Sequence, residues 1–282
     1  MLMTSTPLTA LIGSLERARF EIVPMKGVED QIPHLPAGAV VTVTASPTKG
    51  LDATLELTRI VVARGLRAVP HLSARLFTGT DHVARVLDEL EALGVVEAFV
   101  PAGDIEIPRG PYEGAAELLE EMTRLGHGLQ HIGITGYPEA HAFIADRTTI
   151  EAMDRKAPHA THIVSQICYD PLTIRTWIDA IRARGVTLPV FLGVPGVIDR
   201  ARLLKVSMRV GLGDSVRFLR KQHEVAGRML AGYQPDDLIE ALTDLIDDPH
   251  GGVRGWHLFT FNEVERTERW RQSLLTRLRQ AS

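Results

Sequence analysis

Carboxyl, imidazole, amide and phenol groups stand at or directly behind short apolar runs in this sequence. Glu21 lies in "RFEIVP", Thr44 in "AVVTVTA", His71 and Ser73 in "LRAVPHLS", and Asp104 just after "VEAFVPA". Tyr137, Glu139 and His141 follow "QHIGITG", and Gln166 and Tyr169 belong to "THIVSQICY". Taken singly, each reads as a loop residue at the surface or a polar side chain bonded to nearby backbone. Taken together, they are the groups a polar small molecule would meet if the fold gathers the ends of these runs in one place.

Other chemistry is poorly provided for. The glycines of "GLGDS" (211 to 215) follow helical sequence and lack the third glycine of a dinucleotide fingerprint. His127 and His131 have a four-residue spacing, but Gly126 and Gly128 break the helix that would align them, so no metal site is expected. Cys168, the single cysteine, cannot form an internal disulfide, and its alternation with Gln166 and Asp170 places it as a small buried residue. Trp177, with Ile174 and Ile181 at helical spacing, reads as core.

The 35 acidic and 31 basic residues are spread along the chain and leave a net charge of -4, which offers no footprint for nucleic acid or an acidic membrane face. With 45% hydrophobic and 23% charged residues, the composition is that of an ordinary globule with small-molecule partners. No apolar run approaches the ~18 residues of a membrane span. A cytoplasmic protein is expected, and a homo-oligomer stays open.

The elements that must position these groups follow from periodicity. Apolar, β-branched runs at 19 to 24, 39 to 45, 66 to 73, 96 to 102, 130 to 136, 161 to 169, 188 to 195 and 255 to 262 read as strands. Helical segments at 52 to 65, 81 to 94, 113 to 126 and 170 to 185 alternate with them, each closing on a glycine. Eight strands alternating with helices predict a single α/β domain over 1 to 282, a (β/α)8 TIM barrel, with extra helices in 199 to 248 before the last strand. In such a barrel the C-terminal strand ends form one mouth, which is where the polar groups above stand.

The ordered segments "FEIVP", "VTVT", "PHLS", "AGD", "IGITGYPEAH", "THIVSQICYD" and "VRGWHLFTFN" resemble methylenetetrahydrofolate reductase across almost the whole catalytic barrel. No single segment is specific, but their order is. The resemblance implies reduction of 5,10-methylenetetrahydrofolate to 5-methyltetrahydrofolate, the methyl donor for methionine synthesis. Opening the imidazolidine ring needs a general acid at N10, and Glu21 matches the family's acid; its apolar setting beside Phe20, Ile22 and Val23 would raise its pKa toward neutrality. Asp104 and Gln166 match residues that hydrogen-bond the pterin, with Asp104 also placed to support the developing cation, and Tyr169 falls on the same substrate side. Thr44, His71, Tyr137, His141 and, with a one-residue gap, Lys156 match cofactor-side positions.

Departures from the family pattern bear on the cofactor. Where the flavin-containing enzymes read Leu-Arg-Gly before the aspartate, this chain has Pro101, Ala102 and Gly103, and Tyr112 is displaced by two residues from the start of the following helix at Gly114 and Ala115. The changes match a bacterial branch in which NADH or NADPH passes hydride straight to the folate, so FAD is not expected. Met25 and Glu263 also depart from the family, at positions tied to the folate tail. A tetrahydrofolate-dependent methyltransferase or O-demethylase on a related barrel, a FAD-containing reductase and a non-catalytic folate-binding protein are the alternatives.

Overall fold

Short strands of alternating character and the helices between them build the chain, of which the computed structural model describes residues 5–139, 146–198, 235–246 and 248–281. The strands are β1 (Arg19–Ile22), β2 (Val40–Val43), β3 (Arg67–Pro70), β4 (Glu97–Val100), β5 (His131–Gly136), β6 (His162–Ser165), β7 (Val190–Pro195) and β8 (Val253–Phe259). All pair in parallel in the order β3-β2-β1-β8-β7-β6-β5-β4. The two edge strands meet through a parallel bridge from His71 to Phe99 and a 2.8 Å bond from the Leu72 amide to the Phe99 carbonyl, which brings the sheet round into a barrel. The (β/α)8 expectation holds.

Among the described residues the helices are α1 (Ser5–Glu16), α2 (Gly50–Ala63), α3 (Thr80–Ala92), α4 (Ala115–Leu125), α5 (Asp146–Lys156), α6 (Pro171–Ala183), α7 (Asp236–Ala241) and α8 (Val264–Gln280). Gly65, Gly94, Gly126 and Gly185, just beyond four of them, have the positive φ expected from sequence. The start of α6 shows why a helix begins there: the Asp170 carboxylate accepts from the Leu172 amide at 3.0 Å and the Thr173 hydroxyl at 2.7 Å, and Pro171 needs no amide partner.

Several spans differ from the sequence reading. β6 ends at Ser165, so Gln166, Cys168 and Tyr169 lie in the loop beyond it rather than on the strand. α1 was not anticipated; Leu8, Leu11 and Leu15, three and four residues apart, bury one of its faces, and the Trp256 indole donates to Ser14 Oγ at 2.9 Å. Between β1 and β2 the connection holds only a 3-10 turn at Ile32–His34. Most of the helical excursion expected before β8 lies outside the described residues; α7 and a short 3-10 turn at Thr243–Leu245 are its described part.

Alternate residues of each strand face opposite ways. Outward residues such as Phe20, Ile22, Val41, Ile134, Ile163, Leu192 and Trp256 form the main core between barrel and helices. Inward residues fall into layers set by the strand registers, four to a layer from alternate strands. From the floor upward these are Val40, Glu97, His162 and Gly255; then Arg19, Val69, Gly133 and Phe191; then Thr42, Phe99, Val164 and His257; then Glu21, His71, Thr135 and Gly193. Gly133 is required here, since a Cβ would stand 2.6 Å from His162 Nε2 and 2.9 Å from the Phe99 ring. An interior so rich in charge is an unusual filling for a barrel, and it leads directly to the mouth.

Candidate active site

Glu21 is the uppermost inward residue of β1. Two imidazoles face its Oε2: His257 Nε2 at 3.3 Å from β8, and His71 Nε2 at 3.6 Å just beyond β3, a contact longer than a hydrogen bond. Burial pushes the Glu21 carboxyl up to about 7, with His71 opposing. Burial also pushes His71 down to about 4, against the pull of Glu21, and His257 down to about 3, with Arg19 adding to the effect. Near neutrality both rings are therefore uncharged and the carboxyl is poised between acid and base.

The strand ends around Glu21 are locked by the turn that follows β8. Thr260 Oγ1 donates to the Glu21 carbonyl at 2.6 Å, and the Asn262 side chain bonds both the amide and the carbonyl of Val23 at 2.8 and 2.9 Å. Phe261 and Asn262 adopt left-handed φ of 53° and 62° to make this turn. Beside them Ile167, Tyr169, Ile198, Phe259 and Phe261 pack into an apolar wall at the ends of β6 to β8. Tyr169, expected on the substrate side, is buried in that wall.

Asp104 occupies the long β4–α4 connection and is exposed. Gly103 before it has φ +97°, where a Cβ would meet that of Ser73 at 3.0 Å. Arg75, after β3, pins the connection: its Nε donates to the Glu113 carbonyl at 2.7 Å, its Nη1 to the Ile105 carbonyl at 3.1 Å, and its amide to the Ala102 carbonyl at 2.9 Å. Asp104 is close enough to Tyr137 for its charge to help burial raise the phenol pKa. Gln166 follows β6 with its Oε1 accepting from the Ile167 amide at 2.9 Å.

The expected cofactor-side residues divide. Thr44 and His71 stand near Glu21, and Thr44 Oγ1 and His71 Nε2 are buried without a hydrogen-bond partner. Tyr137 and Lys156 meet instead at Thr135: the phenol hydrogen-bonds its side chain, and the Lys156 ammonium donates to its hydroxyl at 3.2 Å and carbonyl at 3.3 Å. Burial pushes Lys156 down to about 8. His141 lies outside the described residues. Sequence reasoning missed Thr42, His257, Phe259 and Arg75. His257 did carry a signal, as the central inward residue of the alternation Gly255, His257, Phe259.

These donors fit FAD poorly. Ala102 offers no guanidinium before Gly103, and the ammonium of Lys156 is already bonded to Thr135. A groove of about 560 Å³ lies on the outer wall between α5 and α6, lined by Ile150, Met153, Trp177 and Arg184. It shares Tyr137 with the mouth but none of Glu21, His71, Asp104 or Gln166, so it is separate from the carboxyl and imidazoles on the barrel axis. Among the described residues no group of three His, Cys, Asp or Glu side chains is placed to hold a metal ion, and no helix is long and apolar enough to cross a membrane.

Comparison with known proteins gives three findings. A sequence profile of the family described as methylenetetrahydrofolate reductase matches residues 30–272, a span that begins after β1 and so leaves Glu21 to be judged on geometry. The fold superposes with a TM-score of 0.64 on an uncharacterized protein from Clostridium thermocellum that binds two copies of 5-methyl-5,6,7,8-tetrahydrofolic acid, at 11% identity over 95% of this chain and 99% of that one. A phosphonopyruvate hydrolase, in complex with oxalate and Mg++, superposes with a TM-score of 0.51 at 12% identity, over 99% of this chain and 88% of that one.

Proposed function

Since the chain belongs to the methylenetetrahydrofolate reductase family, we propose that it reduces 5,10-methylenetetrahydrofolate to 5-methyltetrahydrofolate with hydride taken directly from NADH or NADPH. One observation carries the reading: the Glu21 carboxyl, mostly shielded at the barrel mouth, faces two imidazole nitrogens at 3.3 and 3.6 Å, and burial pushes its pKa up to about 7. A methylene bridged between N5 and N10 is a poor hydride acceptor. Proton transfer from Glu21 to N10 makes that nitrogen a leaving group, and the N5 iminium that results accepts hydride at the methylene carbon. One proton and one hydride are consumed per turnover.

Asp104, opposite on the β4–α4 connection, pairs with the 2-amino and N3 edge of the pterin, and Gln166 with the remaining polar edge. Folate binding by the Clostridium thermocellum protein supports a folate in a barrel of this shape. Direct transfer from the nicotinamide is supported by the poor fit for FAD; Thr44 and His71 beside Glu21, and Tyr137 at Thr135, would contact the dinucleotide from two sides of the mouth. The partners are thus a folate and a nicotinamide dinucleotide.

Glu21→Gln tests the assignment, because it keeps the shape and removes the proton. Folate binding should persist while turnover falls by ~10² or more. Near wild-type turnover would pass the acid role to another group, and methyl transfer without NADH oxidation would replace the reaction itself.

A further inference from the structure

Beneath Glu21 lie three buried polar atoms without a hydrogen-bond partner: Arg19 Nε, Thr42 Oγ1 and His257 Nδ1. Their residues are only 6%, 1% and 2% exposed. The registers bring them together. His257 pairs with Arg19 across β8 and β1, Thr42 pairs with Glu21 across β2 and β1, and so Thr42 and His257 flank β1 in the layer between Arg19 below and Glu21 above. Buried polar atoms left unpaired are costly, and a site bounded by two to four of them is where an interior water is held.

We propose that one buried water bridges these three atoms, accepting from Arg19 Nε–H and donating to His257 Nδ1, and so fixes His257 as an Nε2–H donor to Glu21 Oε2. The hydrogen bond made by one ring nitrogen sets the protonation of the other. With Nδ1 held as an acceptor, the only ring proton sits on Nε2, 3.3 Å from the carboxyl. Oε2 is then occupied, and Oε1 carries the acid proton toward the mouth. When that proton leaves, the new carboxylate meets a donor already aimed at it and needs no rearrangement. The reverse tautomer would set a nitrogen lone pair against the carboxylate.

The charged and titratable groups around the site agree with this arrangement. Arg19 is paired with Glu97, Glu97 faces His162 Nε2 at 3.3 Å, and the Arg19 guanidinium lies 4.7 Å from the Phe191 ring centroid, so its orientation is set from below and from one side. His71 approaches the same Oε2 from β3. Arg19 and His257 are thus positioning residues, acting on the substrate through Glu21. That Glu21 is the acid rests on the proposed function; the water and the tautomer do not.

The test is nitrogen NMR on folate-free protein with 15N-labelled histidine, His257 being assigned by its loss in His257→Gln. Between about pH 6 and 8 His257 should show a protonated Nε2 and an unprotonated Nδ1 that contacts a long-lived water. An Nδ1–H tautomer, or an imidazolium, would overturn the proposal. Arg19→Lys keeps a cation for Glu97 but removes the Nε donor, and should give mixed His257 tautomers with about tenfold lower turnover and little change in KM. If that variant does not fold, Thr42→Val removes a different partner and should weaken the water contact. A single Nε2–H tautomer and a water contact unchanged in whichever variant folds would equally overturn it. Because the NMR needs no turnover, it decides the matter even if the protein proves not to reduce folates.

Discussion

At the scale of single residues, the proposed reduction turns on one proton. Glu21 must be protonated to act, and its carboxyl is pushed up to about 7, so kcat/KM for the folate should be level on the acid side and fall as pH rises through about 7. Initial rates across the pH range check this, and a profile that rises through pH 7 would remove Glu21 as the acid. Glu21 was legible in sequence through its place in the first apolar run together with its match to the acid of the family the chain resembles. His257 was not, although it touches Glu21, because its importance depends on the pairing of β8 with β1, residues 236 positions apart. Thr42 was hidden in the same way: beside Thr44 in "VTVT" it reads as ordinary strand sequence until the register turns it toward the axis.

At the scale of elements, the connection that carries Asp104 has no regular structure between β4 and α4 and takes its shape from Arg75 on the neighbouring loop. Arg75→Met should preserve the barrel, since the side chain holds loop carbonyls rather than core, yet free the loop to move Asp104. The expected result is a KM for the folate raised about tenfold with a nearly unchanged melting temperature, a loss of orientation rather than of stability. An unchanged KM would mean that the loop holds its shape without Arg75, or that Asp104 does not bind the pterin. All eight strands were legible from apolar runs, and four helices from periodicity and closing glycines, because those signals are local. The Arg75 latch was not, since a side chain that bonds backbone 30 and 38 residues away leaves no mark in its own segment. α1 escaped because its leucines are few and interspersed with Thr, Ser and Gly.

At the scale of the molecule, a barrel filled with Arg19, Glu97, His162, His257, His71 and Glu21 has a stability tied to pH. The folded-state pKa values of His71, His162 and His257 are pushed down from 6.5 to about 4, 3 and 3 by burial. The unfolded chain therefore binds more protons below pH 6.5, and the stability these rings contribute is full above that value and is lost as pH falls toward 4 and then 3. Glu21 acts with the opposite sign, its contribution being full below 4.5 and lost as pH rises through about 7. With three groups against one, urea unfolding should give a lower midpoint at pH 5 than at pH 7, and an equal or higher midpoint at pH 5 would contradict the buried neutral rings. Above this interior, the proposed function would place the folate and the dinucleotide face to face at the mouth. Hydride passed without a carrier requires both at once, with donor and acceptor carbons about 3 to 3.5 Å apart. The most direct test is the initial rate of NADH oxidation by purified protein, without added flavin, over a grid of NADH and methylenetetrahydrofolate concentrations. Folate-dependent oxidation with intersecting double-reciprocal lines is the predicted result; parallel lines, or no oxidation that depends on the folate, would contradict it.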